Sequence, residues 1–239
     1  RDVYKRQALA KAGQDFAHVN DWSVDCLHRL LDYSGRGKMI RGGLVSVGAR
    51  AFLSEDQGRS EMVHSAAIQT GVAMELLQSL LLIHDDIMDQ DGMRRGKPSM
   101  HAQYQQSAAQ ATLRDPVRTG ESMGICAGDA AGFLAMEVIA GLDLLPELKN
   151  SLLQLVSREL ALVVFAQMGD VWNGAAPTEP AFEDILKLYR YKTGRYTFSL
   201  PLMAGALLAQ APAGARKELS ELGEVLGILF QVRDDEIGL

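Results

Sequence analysis

The chain has 239 residues, of which 47% are hydrophobic and 23% are charged, which is enough for one large domain with a substantial core. Its formal net charge is −6 and its positive charges form no basic run, which argues against a nucleic-acid partner. Cys26 and Cys126 are too few for a disulfide framework, so the composition predicts a cytoplasmic protein.

The two ends of the chain bear on its domain organisation. The chain starts at Arg1 without an initiator Met, so residues 1–7 are interpreted as a possible non-native scar. It stops at Leu239, directly after an acidic cluster, which suggests truncation at the C-terminus. The most apolar stretch, 76–83, is much shorter than the roughly 20 residues that cross a bilayer. We therefore expect one domain over 1–239, with no transmembrane segment.

The elements predicted along the chain are nearly all helical. Apolar residues recur at helical spacing in the segments 61–87, 122–144, 147–171, 182–208 and 216–237. Pro146 lies just inside the start of the third segment, and Pro201 is expected to kink or break the fourth. Segments 91–99 and 103–121 hold Gly, Pro and polar residues and are predicted to be connections. Because strand-like alternation is scarce, the predicted fold class is all-α.

An Asp-Asp-x-x-Asp sequence at 85–89 ends the first of these helices. Asp85 and Asp89 lie about one turn apart on one helix face, and Asp86 lies at the edge of that face. Three carboxylates at the negative end of a helix dipole repel one another, so a cation is expected beside them. Magnesium prefers oxygen ligands and often bridges to phosphates, which predicts a metal site that takes a phosphorylated ligand. The alternative is a solvated acidic helix end.

A second acidic pair, Asp234 and Asp235, follows another apolar helical stretch, 222–230. Two such pairs suggest two acidic walls that hold several metal ions against one diphosphate. Cations that could bind phosphate oxygens occur in three further places, and they include Lys38, Arg41, Arg94, Arg95, Lys192 and Arg195. Each cation taken alone is more often a solvated surface charge. Together with the acidic pairs, they suit a site for two diphosphates.

From residue 37 onwards, these motifs resemble those of the trans-type polyprenyl (isoprenyl) diphosphate synthases, of the geranylgeranyl and farnesyl diphosphate synthase kind. The motifs are Asp-Asp-x-x-Asp with Arg-Arg-Gly-x-Pro in 84–101, Lys-Thr at 192–193 and Phe-Gln-x-x-Asp-Asp at 230–235. The resemblance implies an all-α, single-domain bundle of about ten helices around a deep central cavity. It also implies a magnesium-dependent homodimer that joins isopentenyl diphosphate to an allylic diphosphate.

The roles of individual residues follow from the same resemblance. The expected ligands of several magnesium ions are Asp85, Asp86, Asp89, Asp234 and Asp235, which with Lys192 form the predicted catalytic set. The positions expected at the allylic diphosphate or its allylic group are Arg94, Lys192, Thr193 and Gln231. The positions expected to bind isopentenyl diphosphate are Lys38, Arg41, Gln78 and Arg95.

Product length is expected to depend on residues just before the first Asp. Leu81 lies one turn before Asp85 on the same side of the helix, and Leu77 and Met74 continue the stripe. Such a stripe alone is usual for core residues. The resemblance, however, places chain-length control at Leu81 and Leu80. Because neither is aromatic, the expected product has about twenty carbons or somewhat more.

Three departures from the family's motifs, and two rival functions, remain open. Gly42 stands where the first basic motif often has Pro, Ala166 replaces the Gly of a Gly-Gln-x-x-Asp segment, and Gly238 takes the place of the last Asp of the second motif. Asp170, which ends the Gly-Gln-x-x-Asp segment, is either a further acid near the metals or a helix cap. A class I terpene cyclase shares the fold, but it would leave Lys38 and Arg41 unexplained. A non-catalytic subunit of a heteromeric synthase commonly loses acids from the motifs, whereas this chain retains all three in the first.

Overall fold

The structure is a computed structural model that describes residues 2–35, 37–53 and 57–238, so the chain ends at Arg1 and Leu239 lie outside it. The first helices are α1 (Asp2–Phe16), α2 (Asp21–Gly35), α3 (Ile40–Arg50) and α4 (Gln57–Met88). A hairpin of β1 (Met93–Arg94) and β2 (Lys97–Pro98) leads to α5 (Met100–Gln110), α6 (Pro116–Ala140) and α7 (Pro146–Ala175). The last elements are α8 (Phe182–Leu188), a π-helix (Tyr189–Ser199), α9 (Leu200–Leu208) and α10 (Ala213–Gly238). The all-α prediction is confirmed.

The chain divides into two compact units. Unit 1 comprises 1–38 and 72–138, and thus holds α1, α2, the second half of α4, the hairpin, α5 and most of α6. Unit 2 comprises 39–71 and 139–239, and holds α3, the first half of α4 and α7 to α10. Each unit has its own buried apolar residues. They include Leu30, Leu76, Ile83 and Met100 in unit 1, and Val45, Leu152, Val156 and Leu200 in unit 2.

The first helix contains the segment that was interpreted as a possible scar. Within α1, the ammonium group of Lys5 is buried and donates a hydrogen bond of 3.0 Å to the carbonyl oxygen of Ser34 in α2. Residues 2–7 therefore begin a helix that packs on α2. Their origin stays a prediction.

The connection predicted over 103–121 is wrong, because most of this segment is helical. The helix α5 occupies its first part, and α6 begins at Pro116. Asp115 caps α6, since its side chain accepts a hydrogen bond of 3.0 Å from the backbone N–H of Arg118. Pro116 then stands in the first turn, where a missing N–H costs little. The Asp-Pro sequence marks a helix start here rather than a loop.

Of the kink or break predicted at Pro201, the break is wrong, and the kink stays a prediction. The π-helix leads directly into α9, and Pro201 lies in the first turn of α9. The missing proline N–H falls where the hydrogen-bond ladder changes from π to α spacing, which is a known way for a helix to accommodate a disruption. The helical path from Phe182 to Leu208 is therefore continuous.

Three helices in the described part of the chain are long and apolar enough to cross a membrane, judged by length and composition alone. They are Ser60–Met88, Pro116–Ala140 and Pro146–Ala175. The apolar window of the first is 67% buried inside the protein, compared with 33% and 22% for the other two. The length argument based on 76–83 was therefore too narrow, and the absence of a transmembrane segment stays a prediction.

Candidate functional site

The first acidic cluster lies at the C-terminal end of α4 in unit 1. The helix ends at Met88, and Gln90 then adopts a left-handed backbone conformation with φ of 58°. The backbone N–H of Asp91 donates to the carbonyl oxygen of Asp86 at 2.8 Å and closes the helix end. This termination places Asp85 half-buried, Asp86 fully buried and Asp89 exposed.

Both carboxylate oxygens of Asp86 have partners within unit 1. The hydroxyl of Tyr33, in α2, donates to Oδ2 at 2.8 Å. The Nε of Arg94, in β1, donates to Oδ1 at 2.5 Å, and the Nη2 of Arg94 also contacts this oxygen. Burial raises the pKa of the Asp86 carboxyl group, whereas the hydrogen bonds from Arg94 and Tyr33 lower it. No motif pointed to Tyr33, which lies 53 residues before its partner.

The β-hairpin positions the two arginines that follow the first acidic cluster. Its turn residues, Arg95 and Gly96, have φ of 53° and 74°, as a two-residue turn of type I′ requires. Arg94 faces the acids, with its Nη2 3.9 Å from Asp85 and 3.6 Å from Asp91. The guanidinium of Arg95 instead lies against Gly37, where a Cβ would come within 2.9 Å of Nη1. Arg95 therefore lies beside the backbone of Gly37, the chain neighbour of the exposed Lys38.

The predicted chain-length residues lie along α4. Met74 and Leu77 are fully buried, and Leu81 is half-buried. The Cδ2 of Leu80 packs against α6, where a Cβ on Gly132 would lie 2.9 Å away.

On the same helix, the side-chain oxygen of Gln78 is buried and has no hydrogen-bond partner within the described ranges. An orphaned acceptor of this kind suits a position that meets a ligand.

The second acidic pair lies in unit 2, near the end of α10. Asp234 and Asp235 are both exposed. Asp235 accepts a hydrogen bond of 2.8 Å from the side-chain nitrogen of Gln231, and a further one from the hydroxyl of Tyr189. The hydroxyl of Thr193 donates to the other end of the Gln231 amide at 2.9 Å. Three of the predicted site residues, Thr193, Gln231 and Asp235, therefore form one hydrogen-bonded chain.

Two further predicted cations of unit 2 have acidic or aromatic partners. Lys192 donates to the Oδ2 of Asp170, in α7, at 2.5 Å. Asp170, whose role the sequence left open, therefore has a predicted site residue as its side-chain partner. Arg41, in α3, stacks over the ring of Tyr196 at 4.6 Å and donates to the hydroxyl of Thr197 at 2.5 Å.

The accessible carboxylates of the first acidic cluster suit magnesium. In the part of the chain that the structure describes, no three His, Cys, Asp or Glu side chains are grouped as a metal cage. Magnesium, however, often takes only one or two protein carboxylates and completes its shell with water and phosphate. Asp85 and Asp89, about one turn apart and both at least partly accessible, fit that pattern.

Comparison with known families identifies the chain. The family model described as polyprenyl synthetase matches residues 24–239. The chain belongs to the polyprenyl synthetase family. The match covers every residue singled out above as part of the site.

Two curated relatives are about one third identical to the chain over the aligned segments. A (2E,6E)-farnesyl diphosphate synthase of Mycobacterium tuberculosis is 32% identical over 203 residues, which cover 85% of this chain and 49% of the relative. A geranylgeranyl diphosphate synthase of Saccharolobus solfataricus is 32% identical over 211 residues, which cover 87% of this chain and 55% of the relative. The chain thus spans about half the length of the curated relatives that it matches.

Solved structures agree with this assignment. A geranylgeranyl pyrophosphate synthase from Corynebacterium glutamicum, complexed with isoprenyl diphosphate and magnesium, superposes with a TM-score of 0.91 at 26% identity. The match covers 100% of this chain and 66% of that one. An FPP/GFPP synthase from Zymomonas mobilis shares the fold, with a TM-score of 0.74 at 24% identity. That match covers 100% of this chain and 82% of the other.

Proposed function

We propose that the whole protein is a prenyltransferase that condenses isopentenyl diphosphate with an allylic diphosphate to give a linear trans-polyprenyl diphosphate. The observation that carries this proposal is Arg94. A fully buried carboxylate, Asp86, holds its guanidinium beside Asp85 in a chain of the polyprenyl synthetase family. A fixed arginine beside accessible carboxylates suits a substrate that brings phosphate oxygens and a divalent cation together.

The cationic and polar side chains divide between two diphosphates in this proposal. Those assigned to the allylic substrate are Arg94, Lys192, Thr193 and Gln231. Those assigned to isopentenyl diphosphate are Lys38, Arg41, Gln78 and Arg95. The proximity of Arg95 to Gly37, and the orphaned oxygen of Gln78, support the second assignment. The hydrogen bond between Thr193 and Gln231 supports the first.

Magnesium is the proposed cofactor, with several ions on Asp85, Asp86, Asp89, Asp234 and Asp235. When bound, such ions neutralise the charge that develops on a departing diphosphate. The chain's own residues orient the two substrates so that the C–O bond of the allylic diphosphate breaks first, which leaves diphosphate and an allylic cation. The isopentenyl double bond then attacks this cation and forms the new C–C bond, and the departed diphosphate accepts the proton that the isopentenyl unit loses. Apolar side chains such as Leu77 and Leu81 keep water away from the allylic cation.

The proposal is tested by incubating the whole protein with isopentenyl diphosphate and dimethylallyl, geranyl or farnesyl diphosphate. With magnesium, we expect linear products that are longer than the starter by whole five-carbon units, and we expect chelation to abolish them. A cyclic hydrocarbon formed from the allylic substrate alone would indicate a terpene cyclase. No consumption of either substrate would refute the proposal.

Product length is the finer part of the proposal. Relatives that make fifteen- and twenty-carbon products support this range, and the absence of an aromatic residue at Leu80 and Leu81 favours the longer end. We expect Leu81→Phe to shorten the product by at least one five-carbon unit, because the larger side chain fills the space before Asp85. The matched control is Leu145→Phe at the exposed start of α7. An unchanged product profile for Leu81→Phe would exclude Leu81 as a length determinant.

We also propose that the protein is a cytoplasmic homodimer, in line with the family resemblance of its motifs. Sedimentation equilibrium of the whole protein tests the dimer, and a concentration-independent monomer mass would contradict it.

A further inference from the structure

The π-helix is joined to α7 through a buried ion pair that the proposed chemistry does not use. Glu159, in α7, is only 2% exposed and needs a partner if it is to carry a charge. Arg195, in the π-helix, supplies that partner with two hydrogen bonds. Its Nε lies 2.9 Å from Oε2 and its Nη2 lies 2.5 Å from Oε1. This bidentate geometry fixes the direction of the guanidinium as well as its position.

The same guanidinium also reaches α10. Its Nη1 donates to the Oε1 of Glu224 at 2.5 Å. The other oxygen of Glu224 lies 3.4 Å from the Nε of Arg190, one turn earlier in the π-helix. A single side chain, Arg195, therefore connects the π-helix to α7 and to α10.

The proposed diphosphate-binding residues of the π-helix contact the same two helices. Lys192 bonds to Asp170, which lies about three turns after Glu159 in α7. Thr193 bonds to Gln231, which lies about two turns after Glu224 in α10. Each neighbour thus offers one contact to Arg195 and another, on about the same face, to a predicted site residue. A rotation or slide of the π-helix would alter both kinds of contact together.

Backbone packing brings these helices close but leaves their rotation undetermined. A Cβ placed on Gly227, in α10, would clash with the Cα of Gly194, and one placed on Gly223 would lie 2.5 Å from the backbone nitrogen of Ser199. Contacts between glycines are not directional. Directional bonds such as those of Arg195 are therefore needed to set its orientation.

We infer that Arg195 is a positioning residue, which fixes the π-helix between α7 and α10 so that Lys192 and Thr193 meet the allylic diphosphate. The inference rests on the proposed function for the identity of that ligand. The contacts of Arg195 with Glu159 and Glu224 lie within unit 2 and do not depend on the proposed function.

Two substitutions test this role without leaving an unpaired charge in the core. Arg195→Lys keeps the positive charge but cannot form the two-pronged bond to Glu159. Glu224→Gln keeps the shape of the side chain and one hydrogen-bond acceptor, but it removes the negative charge that pairs with the Nη1 of Arg195. The matched controls are Lys217→Gln and Glu221→Gln, which disrupt an exposed ion pair on the same helix as Glu224.

The first measurement is amide hydrogen exchange, which needs no activity. We expect faster exchange across Tyr189–Ser199 in Arg195→Lys and Glu224→Gln, with exchange in α3 unchanged, and no change in either control. The second measurement is steady-state kinetics of the whole protein. We expect the KM for the allylic diphosphate to rise about tenfold, whereas the KM for isopentenyl diphosphate stays within about twofold.

Unaltered exchange across the π-helix would overturn the inference, whatever the activity. Faster exchange with both KM values raised alike, or with neither raised, would also overturn it, because Arg195 would then serve stability alone. Absence of prenyl transfer in the unsubstituted whole protein would count against the proposed function instead, and the exchange measurement would still decide whether Arg195 tethers the π-helix.

Discussion

The two acidic sites contain the same pair of groups in opposite surroundings. In each, the second Asp of an Asp-Asp sequence accepts a hydrogen bond from a tyrosine hydroxyl, Tyr33 for Asp86 and Tyr189 for Asp235. Tyr33 and Asp86 are both buried, whereas Asp235 is exposed and Tyr189 is half-exposed. The pKa of Tyr33 is raised mainly by burial, and the nearby charge of Asp86 raises it further. The pKa of Tyr189 is raised mainly by its hydrogen bond to Asp235.

This difference indicates how each site is stabilised. The carboxylate of Asp86 is part of the core of unit 1, so its geometry is set when the protein folds. The carboxylate of Asp235 is held by bonds that compete with water, and such bonds contribute little to stability. The first site is therefore preorganised, whereas we expect the second to depend on its ligands for order.

The largest expected effect is on turnover. If Asp85 is a metal ligand, Asp85→Ala should lower kcat by roughly 10³-fold, because the charge on the departing diphosphate loses part of its compensation. Asp235→Ala should have an effect of similar order, although its carboxylate is exposed. The measurement is product formation by the whole protein. The control is Asp91→Asn, an exposed acid whose carboxylate lies 3.6 Å from the Nη2 of Arg94. Normal turnover in both alanine variants would refute the metal assignment.

The next effect is on stability and should separate the two sites. Asp86→Ala leaves the buried side of Arg94 without its partner, and we expect a loss of about 3–5 kcal/mol in the free energy of unfolding. Asp235→Ala should change it by less than about 0.5 kcal/mol, since the group is exposed. Urea unfolding followed by circular dichroism measures both. Equal losses of unfolding free energy in the two variants would contradict the distinction between a preorganised site and a ligand-dependent site.

The smallest effect concerns the two tyrosines. Tyr33→Phe removes one donor from a buried carboxylate and should cost about 1–3 kcal/mol of unfolding free energy. Tyr189→Phe removes a donor that water replaces, so its cost should stay below about 0.5 kcal/mol. The same unfolding assay applies, and the two substitutions are matched because each deletes only a hydroxyl. A larger cost for Tyr189→Phe than for Tyr33→Phe would reverse the comparison.

The sequence predicted the helices with strong apolar periodicity but misjudged polar segments. The periodicity of 61–87 matches α4 closely, because a helix buried for most of its length needs apolar residues at regular spacing. The start of α6 was missed because Asp115 and Pro116 occur both in turns and at helix starts, and only the observed cap distinguishes them. The path through Pro201 depends on a π-helix, for which no local sequence signal was available.

The candidate site shows the same division. Its acids and cations could be named from motifs, because charged residues at fixed spacing are visible in one sequence. Their partners could not. Tyr33 reaches Asp86 across 53 residues, and Arg195 reaches Glu159 across 36. Such pairs arise from the packing of helices that are distant in sequence, and nothing in the spacing of either residue indicates the other.

The contact between Gly194 and Gly227 restricts how unit 2 can vary during evolution. Because a methyl group at position 227 would overlap the backbone of Gly194, even Gly227→Ala would require α10 and the π-helix to separate. Thr193 is the chain neighbour of Gly194, and Gln231 follows Gly227 by one turn, so the separation would lengthen their 2.9 Å hydrogen bond. Substitution at this position is therefore coupled to ligand recognition, although neither glycine has a side chain that could touch a ligand.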